Sequence, residues 1–220
     1  MKFLNRLIFA ILILLIPVVC ILAAANVSFR IADVYRFELN RSGVMKEINL
    51  DETTDNLARF FSNYMLGKLD NFQYTANYMG RERPVFGVGE GAAMSRFRNL
   101  LNMSLAALAA SALLAFLAFC VLLWQKKKEA VRVAYNAGTA LYALASAALL
   151  AAIVLDGPRE ELFGRLSVYR FEESDLLPQL LPASSFLVEN YVVVVVISFI
   201  LLSLGRSAVK RLTLPDRMFY

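Results

Sequence analysis

The chain has 220 residues, of which 59% are hydrophobic and 19% are charged, and it carries a net charge of +5 without a single histidine. That apolar share exceeds the roughly 45–50% of an ordinary soluble domain. The lack of histidine excludes Ser-His-Asp and Cys-His catalysis and histidine-based metal sites. We therefore predict no metal site and no cofactor. Nucleic-acid binding is disfavoured, because the excess positive charge lies beside apolar runs, where membrane orientation accounts for it.

Four apolar runs approach the ~20 residues that a helix needs to cross a bilayer core. They lie at residues 7–25, 105–124, 133–155 and 186–204. We predict an α-helical membrane protein with spans at residues 1–25, 100–124, 133–155 and 186–205. The first run also resembles a signal peptide with a small-residue cleavage site at residues 23–25, but its uncharged length favours a retained span.

Basic residues concentrate in the short segments on one side of these spans. Residues 1–6, 125–132 and 206–220 hold ten of the 23 Lys and Arg residues but two of the 18 Asp and Glu residues. By the positive-inside rule, both termini and the loop at residues 125–132 face the cytoplasm. An extracytoplasmic domain at residues 26–99 and a second extracytoplasmic loop at residues 156–185 follow from that orientation.

The first extracytoplasmic segment predicts both strands and a helix. Residues 27–31 and 34–39 alternate in polarity, which is typical of extended structure. Residues 51–65 predict a helix with one apolar face, capped by Asp51 or Thr53 and stopped by Gly67. Residues 72–78 and 85–88 predict a hairpin, with residues 80–84 as its turn.

The second segment adds shorter elements. It begins with a turn at residues 156–158 and continues as a short helix at 160–165 and a strand at 166–171. The apolar piece at residues 176–181, with Pro178 inside it and Pro182 after it, predicts an interfacial re-entry rather than regular helix. Together the two segments predict a small mixed α/β domain.

Charged residues gather near the predicted outer ends of the spans, and they are the candidates for a binding site: Glu90, Arg96, Arg98, Arg165, Arg170, Glu172, Glu173, Asp175 and Glu189. One interpretation is a headgroup site in which guanidinium groups bind lipid phosphate. The other is interfacial anchoring with salt bridges. Glu189 needs a partner because it lies near an apolar span; Arg165 and Arg170 are the candidates.

Two stretches resemble the lipoprotein intramolecular transacylases of Gram-positive bacteria. The first, Glu90-Gly-Ala-Ala93-Met94-Ser-Arg96-Phe97-Arg98, is similar to the family pattern Glu-Ile-x-His-Met-x-Asp-Val-Lys. The second covers residues 162–171, where the family has a Phe-His pair. The acidic residues at 172–175, the Leu-Leu-Pro at 180–182 and Phe186 reproduce the family's continuation. The resemblance spans nearly the whole chain and implies the family's four-span fold in a bacterial plasma membrane.

The resemblance implies an acyl-transfer activity, but this sequence lacks the histidines with which the family performs it. Members move an acyl chain from the diacylglyceryl group of a lipoprotein's amino-terminal cysteine to that cysteine's amine, with histidines as acid and base. Ala93 and Leu166 occupy the histidine positions, and neither side chain transfers a proton. We therefore expect binding of membrane lipids or diacylglyceryl lipoproteins without the usual catalysis.

Two alternatives remain open at this stage. One is a divergent transacylase that uses Glu90 as its base. The other is an assembly partner of other membrane proteins that docks through Ala-rich spans, at positions such as Ala106 and Ala110.

Overall fold

The computed structural model describes residues 2–43, 53–78, 81–155 and 175–213. Within them the chain forms seven helices and one strand pair, in the order α1 Lys2–Ser28, α2 Ala32–Ser42, α3 Thr54–Met65, β1 Thr75–Tyr78, β2 Arg81–Pro84, α4 Val88–Trp124, α5 Lys128–Val154, α6 Leu177–Leu180 and α7 Ala183–Thr213. The predicted helix at 160–165 and strand at 166–171 lie outside the described residues.

Four of these helices are long and apolar enough to cross a membrane. The qualifying stretches are Leu4–Ser28, Val88–Trp124, Lys128–Ala152 and Ser185–Thr213. The prediction of a four-span membrane protein is thus confirmed. At 1.5 Å per residue, the 37-residue helix α4 is about 55 Å long, which exceeds a hydrocarbon core of about 30 Å. Part of α4 therefore extends beyond that core.

The chain divides into two compact units. Residues 1–24, 104–151 and 194–220 form the first, which we call the span unit; residues 25–103 and 152–193 form the second, which we call the loop unit. In the span unit, Gly138 lies so close to α1 that a Cβ there would meet the Ile16 Cβ at 2.9 Å. The Tyr135 hydroxyl donates to the Leu202 carbonyl at 2.6 Å. Small residues and interhelical hydrogen bonds of this kind hold helices together where no water drives their association.

Aromatic side chains form the centre of the loop unit. The apolar face of α3 carries Phe60 and Phe61, whose rings lie 5.1 Å and 5.6 Å from the ring of Phe72. The ring of Phe86, just after β2, lies 4.8 Å from the ring of Phe72 and is tilted relative to it. All four side chains are buried. The predicted helix with its packed apolar face is confirmed, and so is the small mixed α/β domain.

Helix α3 begins and ends where its sequence indicates. The Thr53 hydroxyl accepts from the Asn56 N–H at 3.3 Å, which satisfies one of the unpaired amides of the first turn. Gly67 follows the helix with φ of +77°, and the Lys68 N–H donates to the Asn63 carbonyl at 2.9 Å. This is the Schellman arrangement that glycine favours at a helix end. Asp51, the alternative cap, lies outside the described residues.

The predicted strands at residues 27–31 and 34–39 are wrong. Residues 27 and 28 end α1, and residues 34–39 lie within α2. Buried side chains at positions 34, 35, 38 and 39 of α2 fall on one helical face, whereas Phe37 is 61% exposed. A six-residue run fits both periods, so its alternation alone does not decide between helix and strand.

The hairpin exists, but its second strand begins earlier than predicted. Strands β1 and β2 pair antiparallel with Thr75 opposite Pro84 and Tyr78 opposite Arg81. The prediction of a turn at residues 80–84 is wrong, because the charged residues there carry no strand signal and yet pair through their backbones. Val85 extends the pairing, since its N–H donates to the Tyr74 carbonyl at 2.8 Å.

The segment at 176–181 differs from the predicted interfacial re-entry. Leu177–Leu180 form the short helix α6, and Leu177, Leu180 and Leu181 are buried in the core of the loop unit. Burial of these three side chains removes the need for an interface to cover them.

Candidate functional site

Glu90 occupies the start of α4, where it ties two backbone segments together. Its carboxylate accepts from the Gly87 N–H at 2.5 Å and from the Leu177 N–H at 2.6 Å. The side chain is 2% exposed. A glutamate three residues after the cap position commonly bonds back to the cap amide. Both oxygens are thus used on backbone donors, and this geometry points to a structural anchor between α4 and α6.

The arginines of α4 differ in their surroundings. Arg98 donates to the Leu69 carbonyl at 2.7 Å, and its guanidinium lies 4.9 Å from the centre of the Tyr64 ring. These contacts attach it to the end of α3. Arg96 is exposed and Ala93 is half-buried. Arg165, Arg170 and Leu166, together with Glu172 and Glu173, lie outside the described residues.

Glu189 does have partners, and they come from α2. The Arg41 guanidinium Nη1 bonds Glu189 Oε1, and the Ser185 hydroxyl donates to Glu38 Oε1. The carboxyl groups of Glu38 and Glu189 lie within hydrogen-bonding reach of each other. We call these four residues the carboxyl cluster. Among the described residues it brings two acids, one guanidinium and one hydroxyl together from α2 and α7.

Glu38 and Glu189 each have one carboxyl oxygen to which no hydrogen bond is made by the rest of the described chain. Glu38 is 1% exposed, and its Oε2 is buried without a hydrogen-bond partner in the described part of the chain. Glu189 Oε2 is likewise buried and unpartnered among the described residues, while its side chain as a whole is 13% exposed. Arg41 is the open member of the cluster, because its side chain is 56% exposed. Buried acceptors without donors are costly, so these two oxygens favour a proton shared between the two carboxyl groups.

A network of neutral polar groups positions α7 beside the end of α1. The Ser28 hydroxyl donates to Asn190 Oδ1 at 2.7 Å, and the Asn190 amide donates to the Phe186 carbonyl at 2.8 Å. Both polar side chains are buried. The Phe186 ring packs 5.5 Å from the Tyr35 ring on α2. These contacts fix the first turns of α7, and hence Ser185 and Glu189, against α2.

Burial and the neighbouring acid raise the pKa of Glu38 from 4.5 to about 7. Burial is the larger cause, and a hydrogen bond to the Glu189 carboxyl adds to it. The Ser185 hydroxyl and the Arg41 charge act in the opposite direction. Glu189 in turn raises the pKa of Arg41, so the guanidinium stays charged. Glu38 is therefore a buried carboxyl that exchanges its proton near neutral pH.

This pKa predicts a pH-dependent stability. Because the folded-state pKa lies above the ordinary value, the stabilisation by Glu38 is fully present below pH 4.5 and is lost as pH rises through about 7. We expect the unfolding temperature in detergent to fall between pH 5 and pH 8, and Glu38→Gln to flatten that decline. Glu82→Gln, at an exposed position, is the control and should keep the wild-type slope. Identical slopes for wild type and Glu38→Gln would contradict a raised pKa.

Sequence reasoning identified Glu189 but missed Glu38, Arg41 and Ser185. In a strand at residues 34–39, the side chains of Glu38 and Leu39 would point to opposite faces of the sheet. In helix α2 both side chains are buried. The helical pattern was available as a signal, since a glutamate four residues after Val34 and one before Leu39 lies on the buried face. No residue pattern within α2 indicates that Glu38 lies beside residues of α7.

No group of three metal-ligating side chains occurs among the described residues. The carboxyl cluster supplies two carboxylates with a cation already bound to one of them. Its chemistry is therefore that of hydrogen-bond acceptance and proton exchange.

No protein-family model matches the chain, and no curated protein sequence gives a significant match. Solved structures of the membrane integral lipoprotein intramolecular transacylase Lit from Bacillus cereus do match. A variant with a histidine replaced by arginine gives a TM-score of 0.71 at 18% identity, over 96% of this chain and 92% of that one. A variant with a histidine replaced by alanine gives 0.70 at 18% identity, over 96% and 94%.

A third structure of the same transacylase gives a TM-score of 0.67 at 17% identity, over 96% of this chain and 98% of that one. At this identity the likeness shows the fold. The chain is an integral membrane protein with the fold of Lit, as the resemblance in its sequence predicted.

Proposed function

We propose that this protein binds the headgroups of membrane lipids or diacylglyceryl lipoproteins at the outer leaflet, without the histidine-dependent acyl transfer expected of the family it resembles. In this proposal residues 26–99 and 156–185 face outward, and residues 125–132 and 206–220 face the cytoplasm. The carboxyl cluster is the observation that carries the proposal: it joins two buried or nearly buried acids to an exposed guanidinium, beside a core that is mainly apolar. Buried ionisable groups with shifted pKa values are typical of functional sites.

Arginine side chains supply the phosphate contacts in this proposal. Arg41 is more than half exposed beside Glu189, so it can bind a phosphate without leaving the cluster. Arg96, exposed on the first turns of α4, is a second proposed ligand. Arg98 is also a proposed ligand, and its contacts with Leu69 and Tyr64 hold it in place. Arg165 and Arg170 are the proposed ligands from the second loop.

The absence of histidine argues for the loss of the usual catalysis. The chain holds no histidine, and Ala93 on α4 has no group that accepts a proton. The alternative base, Glu90, has both oxygens on backbone amides. We therefore place the function in binding. The docking alternative gains no specific support, because Ala106 and Ala110 are exposed on a span, as any lipid-facing residue is.

Headgroup binding is tested with the purified protein in nanodiscs that contain a photoreactive lipid with a phosphate headgroup. We expect saturable labelling of the loop unit that the double variant Arg41→Ala with Arg96→Ala reduces by about tenfold or more, since each lost charge-assisted contact is worth roughly 1.5–3 kcal/mol. Lys127→Ala with Lys128→Ala is the control, because these basic residues lie in the other unit. If the Arg41→Ala, Arg96→Ala variant is labelled as strongly as the Lys127→Ala, Lys128→Ala control, the proposed headgroup site is excluded.

A further inference from the structure

A cavity lies at the end of the span unit where α1 begins, α4 ends and α5 begins. Its volume is about 290 Å³, and basic, polar and apolar side chains line it together: Asn5, Arg6, Phe9, Leu122, Lys127 and Ala130. We call it the basic cavity. All of its lining residues belong to the span unit, so it is distinct from the carboxyl cluster in the loop unit.

Arg6 and Lys127 bring two positive charges to the basic cavity. The ion pairs among the described residues all lie in the loop unit, so neither cation has an acidic partner within the described part of the chain. Glu129, the acid nearest to Lys127 in the sequence, is exposed and does not line the cavity. A guanidinium and an ammonium group on one cavity favour a bound anion, and a phosphate accepts hydrogen bonds from both.

The backbone between α4 and α5 fixes the position of Lys127. Lys126 has a φ of +58°, a left-handed conformation in which glycine is usual, and its N–H donates to the Leu123 carbonyl at 2.9 Å. The Lys127 N–H donates to the Leu122 carbonyl at 3.0 Å, which ends α4 in a Schellman motif. The Lys127 carbonyl then accepts from the Val131 N–H at 3.3 Å, so Lys127 lies at the cap position of α5. The partial positive charge of that helix end adds to the charge of the lysine.

An apolar groove of about 310 Å³ continues from the basic cavity along the same helices. Its lining includes Leu12 of α1, Phe119 of α4 and Val131 of α5. Each of these residues lies three or four positions from a residue of the basic cavity on the same helix or at its cap, and residues so spaced share a helix face. The groove therefore lies about one helical turn, roughly 5.4 Å, deeper in the span unit. An acyl chain attached to a phosphate in the cavity has an apolar surface to follow there.

Trp124 indicates that the basic cavity lies at the depth of lipid headgroups. It is the last residue of α4 and is 88% exposed. Tryptophan is enriched at the boundary between membrane and water, and the cavity residues Leu122 and Lys127 flank it in the sequence. In the orientation proposed above this boundary faces the cytoplasm, where anionic lipids attract basic segments.

The geometry points to a site for one anionic phospholipid, with its phosphate between Arg6 and Lys127 and one acyl chain in the apolar groove. The positive-inside rule also accounts for basic residues at this end of the spans. Orientation, however, requires only their charge and not the placement of two of them on one cavity beside an apolar groove. This site lies in the span unit, so it does not depend on the outer-leaflet binding proposed for the loop unit.

The test measures lipid binding to the full-length protein in detergent by native mass spectrometry. The probes are phosphatidylglycerol and phosphatidylcholine with identical acyl chains. Both contain a phosphate, but the choline group adds a positive charge that Arg6 and Lys127 repel. We expect phosphatidylglycerol to bind roughly tenfold more tightly to the wild type. Equal binding of the two lipids would overturn the inference.

Charge variants locate the site. Arg6→Gln with Lys127→Gln should remove most of the preference for phosphatidylglycerol. Lys128→Gln with Lys210→Gln is the matched control, because it removes the same charge from exposed positions of the span unit that line neither the basic cavity nor the groove. If the two pairs lose the preference equally, general electrostatic attraction explains it and the site is excluded.

A groove variant and a soluble competitor distinguish a lipid from a free phosphate. Ala208→Leu adds bulk at an exposed position of the groove and should weaken phosphatidylglycerol binding severalfold. Ala110→Leu, at an exposed position that lines neither space, should not. Glycerol phosphate, which has the phosphate but no acyl chain, should compete far more weakly than the lipid. If it competes as strongly as phosphatidylglycerol, or if Ala208→Leu binds the lipid like the wild type, the acyl chain has no part in binding and the lipid site is excluded.

Discussion

Lipoprotein amino termini should carry the same acyl groups in cells with and without this protein. General acid–base catalysis is commonly worth ~10²–10⁴-fold in rate, and the chain has Ala93 and Leu166 where the resemblance places histidine. The fold is that of Lit, and alanine and leucine side chains carry no group that can transfer a proton. Mass spectrometry of lipoprotein amino-terminal peptides from matched strains measures the outcome directly. We expect no N-acylated lyso-lipoprotein that depends on this chain.

A restored variant provides the positive control. Ala93→His combined with Leu166→His returns both missing side chains to the scaffold, and a gain of lyso-lipoprotein would identify a decayed catalytic site. Formation of that product by the wild-type chain would contradict the loss of catalysis. Glu38→Gln would then decide whether the carboxyl cluster supplies the proton transfer, because it removes the titratable group and keeps the fold.

Glu90→Ala should produce the largest loss of stability in the loop unit. The backbone N–H of Leu177, which is buried, and that of Gly87, which is partly buried in this contact, lose their acceptor at once. An unsatisfied buried donor costs about 1–3 kcal/mol, so we expect a loss of at least that size. The truncated side chain also opens space at a site that is 2% exposed. Thermal unfolding in detergent, followed by a probe in the loop unit, measures the effect.

Conservative variants distinguish an anchor from a catalytic base at this position. Glu90→Gln keeps one amide acceptor and should lose less stability than Glu90→Ala, whereas a base role predicts full stability with altered acyl chemistry. Glu82→Ala, at an exposed glutamate in the same unit, should leave the unfolding temperature within the small range of surface substitutions. If Glu90→Ala unfolds at the same temperature as the wild type, Glu90 is not a structural anchor.

Local chemistry determined much of this protein from its residues alone. Long apolar runs have only one stable arrangement in a bilayer, because a helix satisfies its own backbone groups there. The helix from Thr54 to Met65 was equally well specified, since Thr53, Gly67 and the apolar spacing all agree. The Lit-like fold was recognisable from residues 90–98, together with the Leu-Leu-Pro segment that ends at Pro182.

Tertiary structure decided the candidate site. The run at 34–39 satisfies a strand period and a helix period alike, and packing of Val34, Tyr35 and Leu39 in the loop unit selects the helix. That choice buries Glu38, and only then does Glu189, about 150 residues later in the chain, become its neighbour. Charge and spacing indicate that a buried acid needs a partner, but the identity of a partner so distant in sequence depends on how the helices pack.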